Sequence, residues 1–199
     1  MKVGQVLFGL APWLLFSIMT HRLGDNEVAI AGLVAAMVAL AMMLYTRGRG
    51  GIKLLDAAAV VTFGVIAIVG FAGGRSVDDW LANFGRGGST LILGALMLLS
   101  AVTVPFTEQY ARESVPQEYW GTHQFRSTNR AISLAWGLAV VVMGIGHVIA
   151  GFVDSSTDPS TGARPADLFL NWILPIVLVL LVIKYTQREA GHARQVSPR

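Results

Sequence analysis

The chain contains no cysteine. That excludes disulfides, thiolate metal sites and a cysteine nucleophile, and it leaves the redox compartment unmarked. Charge is also scarce: 14% of the 199 residues are Asp, Glu, Lys or Arg, against 54% hydrophobic. A soluble domain carries about 25% charged residues. This chain has too few to cover its own surface, and much of that surface is expected to face lipid. Familiar enzyme signatures are missing as well: there is no nucleotide-binding glycine loop, no His-Glu-x-x-His and no nucleophile elbow. The neighbouring carboxylates Asp78 and Asp79 point ~100° apart on a helix, so they form no facing acid–base pair and instead favour a helix N-terminus. The expectation is a protein that is not an enzyme and carries no cofactor. Its net charge of +3 does not point to nucleic acid, because the basic residues lie between apolar stretches, not in a patch interleaved with aromatics.

What the chain does have is long apolar runs. Six stretches approach the ~20 residues that a spanning helix needs: 4–20, 28–45, 54–73, 89–105, 131–153 and 168–185. The reading is an all-α, polytopic transmembrane bundle of about six helices, arranged as three hairpins in a single domain. Pro12 in the first stretch and Pro105 at the end of the fourth predict kinks or tilts. No small-x-small cleavage site precedes the second stretch, so the first is expected to be a membrane helix and not a signal peptide. With both termini inside, the inner side holds Lys2, Arg47, Arg49, Lys53, Arg112, Arg126, Arg130, Lys184, Arg188, Arg194 and Arg199. The outer side holds Arg22, Arg75, Arg86 and Arg164. Eleven against four gives an N-in, C-in orientation, and the expected location is the bacterial inner (plasma) membrane.

The connections differ in character. Residues 46–53 are a short basic, glycine-rich turn, and 154–166 are rich in Ser, Thr, Asp and Pro, as in an external loop. Residues 76–85 read as a short interfacial helix with Ser76 and Asp79 as its capping box and Trp80, Leu81 and Phe84 on one face. Residues 106–130 form an amphipathic inner connection, and 186–199 an inner tail. Each returning helix ends in an aromatic-Thr pair with an Arg behind it: Tyr45-Thr46, Phe106-Thr107 and Tyr185-Thr186. An aromatic at headgroup level followed by a cation is the ordinary way a helix stops at the inner face; an ancestral repeat is the alternative.

Several residues are candidates for more than packing. Asp56 lies one turn into the third helix near Lys53 and Arg49; it either marks the helix start or relays a proton or ion. His147 lies inside the fifth helix at a depth similar to His21, a weak pair for a metal or haem; a hydrogen bond to a neighbouring helix is the simpler role. Gly137, Gly144 and Gly151 recur every seven residues and allow a close helix contact, as do Ala31, Ala35 and Ala39 in the second helix. The two stripes fit each other or a second copy of the chain, so a homo-oligomer stays open. Asn129 stands at the start of the fifth helix, flanked by Arg126 and Arg130 and seven residues ahead of Trp136. With Arg112 and Trp120 they make a candidate docking or lipid-headgroup site, against the plainer reading of an aromatic and basic belt.

The order of these features resembles the bacterial intracellular septation protein A (YciB-like) family of small inner-membrane proteins. The likeness runs through Phe8, Pro12 and Phe16, then Tyr45 and Arg47, Lys53, the Asp78-Asp79-Trp80 stretch and Thr90. It continues through Pro105-Phe106, Arg112, Pro116, Trp120, Asn129 and Trp136. The resemblance implies a role in cell-envelope synthesis and division through contacts with other membrane proteins, and no established catalytic reaction. A small transporter or channel is the alternative. Thr62, Ser100, Thr103 and Ser133 are then the main polar groups in the helix interiors, thin for a water-lined path. An accessory subunit of a larger membrane complex is a further one.

Overall fold

The computed structural model describes residues 3–20, 27–48, 51–156 and 164–196, and the described residues are helical with no strand. The order is α1 (Val3–Gly9), α2 (Ala11–Met19), α3 (Glu27–Arg47), α4 (Leu54–Val102), α5 (Phe106–Ala111), a 3-10 turn (Gln117–Tyr119), α6 (His123–Ser156), α7 (Arg164–Leu168), a π-helical turn (Phe169–Ile173) and α8 (Leu174–Val196). Four helical segments are long and apolar enough to cross a membrane: Glu27–Arg47, Leu54–Val102, His123–Val153 and Ala166–His192. Their outward faces carry Val61, Ile68, Leu99, Leu138 and Leu181, all more than half exposed. Such a surface suits lipid and not water, and the helical described residues are compatible with an integral membrane protein.

Proline and glycine account for the departures from six simple stretches. The first stretch is two short helices, not one. Pro12 has no N–H and its ring crowds the carbonyl four residues back, so the chain turns at Leu10 before α2 begins. The third and fourth stretches, with the expected interfacial helix 76–85 between them, are joined in the 49-residue α4. It is broken only at Gly74, whose φ of 70° and ψ of −172° lie outside the helical region. That backbone is open essentially to glycine alone. Beyond Gly74 the helix runs without interruption to Val102; Leu81 and Gly85 are buried within it, and Trp80 is exposed. α4 stops where Pro105 begins the next turn, and the Ser100 hydroxyl accepts the Phe106 N–H at 3.2 Å. Pro175 produces the π-helical turn ahead of α8 by the same crowding, applied to the carbonyl of Asn171. The polar stretch from Gln187 onward continues α8 as helix past its apolar run.

Packing follows the small residues. The part of α4 before Gly74 runs antiparallel to α3: a Cβ at Gly32 would meet Ala67 and Ile66 at 3.1 Å, and one at Gly70 would meet Ala29 at 2.7 Å. Ala31, Ala35 and Ala39 of α3 are fully buried. The part after Gly74 runs antiparallel to α6. Leu91 and Leu98 fit over Gly144 and Gly137, while Val148 and Val141 fit over Gly87 and Gly94. The glycine stripe of α6 therefore meets α4, and α3 meets a different part of the same helix through Ala29 and Gly32. α8 lies on the outside of α6 and also touches α1. The core between them is apolar: Trp13 and Phe16 each stack on Phe63 at 4.8 Å, with Met97 and Trp136 buried nearby.

Candidate functional site

Buried polar groups gather at the two ends of this core. One end is built around Arg86, which is only 6% exposed although it lies inside α4. Its place in the sequence, beside Gly85, Gly87 and Gly88, reads as a loop; the structure puts it in the bundle. It is held there by Ser17 of α2, whose hydroxyl accepts from Nε and whose carbonyl accepts from a terminal nitrogen at 3.0 Å. The guanidinium lies 5.2 Å from the centre of the Trp172 ring, a favourable cation–π geometry. Asp167 is near enough to interact with it electrostatically.

Next to Arg86 a second chain of polar groups links α6 to the π-helical turn. His147 Nδ1 and Asn171 Oδ1 are 2.6 Å apart, and the Asn171 amide donates to the Asp167 carboxylate. Two i, i+4 relations make this possible: Asp167 and Asn171 share a face, and so do His147 and Gly151. A cavity of about 180 Å³ opens among these groups, lined by Thr20, Glu27, Ala82, Asn83, Arg86, His147, Gly151 and Asn171. A Cβ at Gly151 would collide with the backbone carbonyl of Asn83; glycine there lets α6 approach α4 beside the cavity. His147 thus belongs to a hydrogen-bonded network. The other weak metal candidate, His21, lies outside the described residues, among which no group of three or more His, Cys, Asp or Glu side chains is placed to hold a metal.

The opposite end is built around Asp56 in the first turn of α4, 1% exposed. Its Oδ2 accepts the Thr46 hydroxyl of α3 at 3.2 Å. Lys53 caps the start of α4, with its Nζ 2.6 Å from Glu113 Oε1 and 4.5 Å from the Tyr110 ring centre. Gln109 Oε1 accepts the Leu54 N–H at 2.8 Å, tying α5 to the α4 N-terminus, and the Gln5 amide of α1 donates to Glu113. Tyr110 is fully buried in α5. Burial above all, then the Asp56 and Glu113 carboxylates, pushes its phenol well above the ordinary tyrosine range. It stays protonated and able to donate a hydrogen bond.

The residues singled out for docking divide between surface and interior. Arg112 and Trp120 come together: the guanidinium is 5.1 Å from the indole centre and 3.1 Å from Glu108, and the indole N–H donates to the Val115 carbonyl at 2.9 Å. Arg126 and Arg130 are exposed on the first turns of α6. Asn129 is buried and donates to the Phe125 carbonyl at 2.8 Å; Trp136 is 1% exposed and donates to Thr186 at 3.1 Å. Sequence reasoning missed Arg86, Ser17, Asp167, Asn171 and Gln5. Asn171 carried a usable signal: it is a lone amide in an apolar run, four residues after an acid and four before a proline. Searches against protein-family models, curated proteins and solved structures give no match to this chain.

Proposed function

We propose that the protein is a multi-pass membrane protein that binds a small polar solute at the Arg86–His147–Asn171 cavity, as a small transporter or channel does, and that it catalyses no reaction. The observation that carries this reading is Arg86 itself, a cation buried in a membrane helix beside a polar cavity. Ionisable side chains within membrane segments are costly and characteristically mark solute and ion paths. The π-helical turn that brings in Asn171 adds to it, since such turns recur at functional sites. At about 180 Å³ the cavity is below the roughly 300–1,000 Å³ of sites for drug-sized ligands, so its occupant is small.

The proposed topology is six crossings in three hairpins, with the Asp56 end and both termini in the cytoplasm of a bacterial inner membrane. The charge asymmetry of the sequence supports that orientation. The length of α4 supports two crossings within it: 49 residues rise about 73 Å at 1.5 Å each, against a hydrocarbon layer of about 30 Å.

The test is the melting temperature of the full chain in nanodiscs against a panel of inorganic anions, small carboxylates and amino acids. One class is expected to raise it, by an amount equivalent to about 2.7 kcal/mol at a hundredfold excess over Kd, and to leave an Arg86→Gln variant unmoved. A panel that shifts neither protein overturns the reading. A second reading, envelope maintenance through protein or lipid contacts, is supported by the septation-family resemblance, by exposed Arg126 and Arg130 and by the Arg112–Trp120 pair. It predicts cell-envelope proteins co-purifying with the wild type and lost in a Trp120→Ala, Arg126→Ala variant.

A further inference from the structure

Three side-chain atoms at the Asp56 end are buried without a hydrogen-bond partner: Asp56 Oδ1, Tyr110 Oη and Gln5 Oε1. They come from α4, α5 and α1, which converge there. Tyr110 reaches α1 at Gly9, where a Cβ would overlap its hydroxyl. Gln5 is one turn before Gly9 and on the same face. Asp56 lies within electrostatic range of the Tyr110 phenol.

Two separate counts find the cluster short by the same quantity. The first is charge. Among the described residues, Asp56 and Glu113 are two carboxylates facing one cation, Lys53, which Glu113 holds at 2.6 Å. Arg112 is engaged by Glu108, and Arg47, at the end of α3, is exposed. With both carboxylates ionised, the described residues of the cluster carry one uncompensated negative charge. The N-terminus of α4 offsets about half a unit at most, and an uncompensated buried charge is costly. The second count is hydrogen-bond donors. Asp56 Oδ1 and Gln5 Oε1 only accept, and Tyr110 brings a single proton for both.

We propose that Asp56, Tyr110 and Gln5 form a buried site for one monovalent positive charge, a proton or Na⁺, taken up at Asp56 Oδ1. As a proton it turns Asp56 into a donor to Tyr110 Oη, whose O–H then serves Gln5 Oε1, directly or through water. As Na⁺ it takes the three oxygens as ligands, in the manner of hard cations. The site lies at the opposite end of the bundle from the Arg86 cavity and rests on its own observations, so either assignment can fail alone.

The experiment is the melting temperature of the full chain in nanodiscs from pH 5 to 9, at constant ionic strength, in NaCl or in choline chloride. The proteins compared are the wild type, Asp56→Asn and Tyr110→Phe. Asp56→Asn keeps the shape, supplies the missing donor and removes the charge. The wild type is expected to respond to pH, to Na⁺ or to both, and Asp56→Asn to neither, while remaining at least as stable as the wild type with its site empty. In the proton arm the wild type is most stable at the acid end and loses stability as rising pH empties the site. A protonated-carboxyl infrared band, absent in Asp56→Asn, accompanies it. In the Na⁺ arm stability rises with NaCl over choline chloride and that band is missing. Tyr110→Phe weakens whichever response is seen. Equal responses of wild type and Asp56→Asn overturn the proposal. So does an Asp56→Asn protein that is destabilised under every condition, because Asp56 is then needed as a bare anion.

Discussion

Thr46, Thr107 and Thr186 each follow an aromatic residue at the Asp56 end, and each is buried. The sequence pattern reads as a belt of aromatics and cations at a membrane surface. In the structure the threonine of each pair turns inward and joins a neighbouring element: Thr46 to Asp56, Thr107 to Ser133 and the Asn129 carbonyl, Thr186 to the Trp136 indole. The pattern was legible in the sequence because the spacing is local. The partners were not, because they lie up to 50 residues away and no local period encodes them. The Trp136–Thr186 bond ties α8 to α6, and the membrane-crossing stretch of α8 is otherwise little buried. A Trp136→Phe, Thr186→Val double-mutant cycle should show a coupling of about 1 kcal/mol, read from unfolding in detergent micelles. A coupling near zero means that the indole contributes packing and not the bond. Arg86 makes the same point more sharply. Among glycines it reads as a loop cation, and only the fold reveals that one of them, Gly87, serves close packing of α4 on α6.

Glycine does two different jobs, one in α4 and one in α6, and substitutions separate them. At Gly74 it permits a backbone with φ of 70°. Nothing lies within 4 Å of a Cβ built there, so Gly74→Ala meets strain and no clash. The expected cost is about 1–3 kcal/mol, seen as a lower unfolding midpoint with the α4–α6 contact intact. On α6 the need is for space. At Gly144 the neighbours are the Leu91 side chain at 2.8 Å and its backbone nitrogen at 3.0 Å; at Gly151 the neighbour is a backbone carbonyl. A leucine side chain yields more readily than a backbone. Gly151→Ala should therefore destabilise more than Gly144→Ala, within the ~1–3 kcal/mol typical of overpacking, and should also disturb the cavity that Gly151 lines. The reverse order would mean that the tightest contact lies at mid-helix. The seven-residue spacing announced a close helix contact but named no partner. The partner is α4 because Gly87 and Gly94 repeat the same spacing there and take Val148 and Val141 in return.

For the molecule as a whole, the membrane character was legible from composition and from the lengths of the apolar runs, since both reflect solvation of the entire surface. The bounds of the helices were less so: proline and glycine act through backbone geometry that hydropathy does not register. The proposed topology is open to direct measurement because the chain has no cysteine of its own. Single cysteines can be placed at four exposed positions, Gly48, Ser76, Ser114 and Ser155, and probed in intact cells with a membrane-impermeant maleimide. If α4 reverses at Gly74 and crosses twice, Ser76→Cys and Ser155→Cys label from outside. Gly48→Cys and Ser114→Cys then label only after the cells are opened. If α4 does not cross twice, Ser76→Cys still labels from outside, because the stretch before Gly74 still ends there. Ser114→Cys, beyond the second stretch, then joins it on the outside. Ser114→Cys is therefore the position that decides between the two arrangements. Labelling of all four from outside would break the link between the charge asymmetry and orientation, and with it the assignment of the Asp56 end to the cytoplasm.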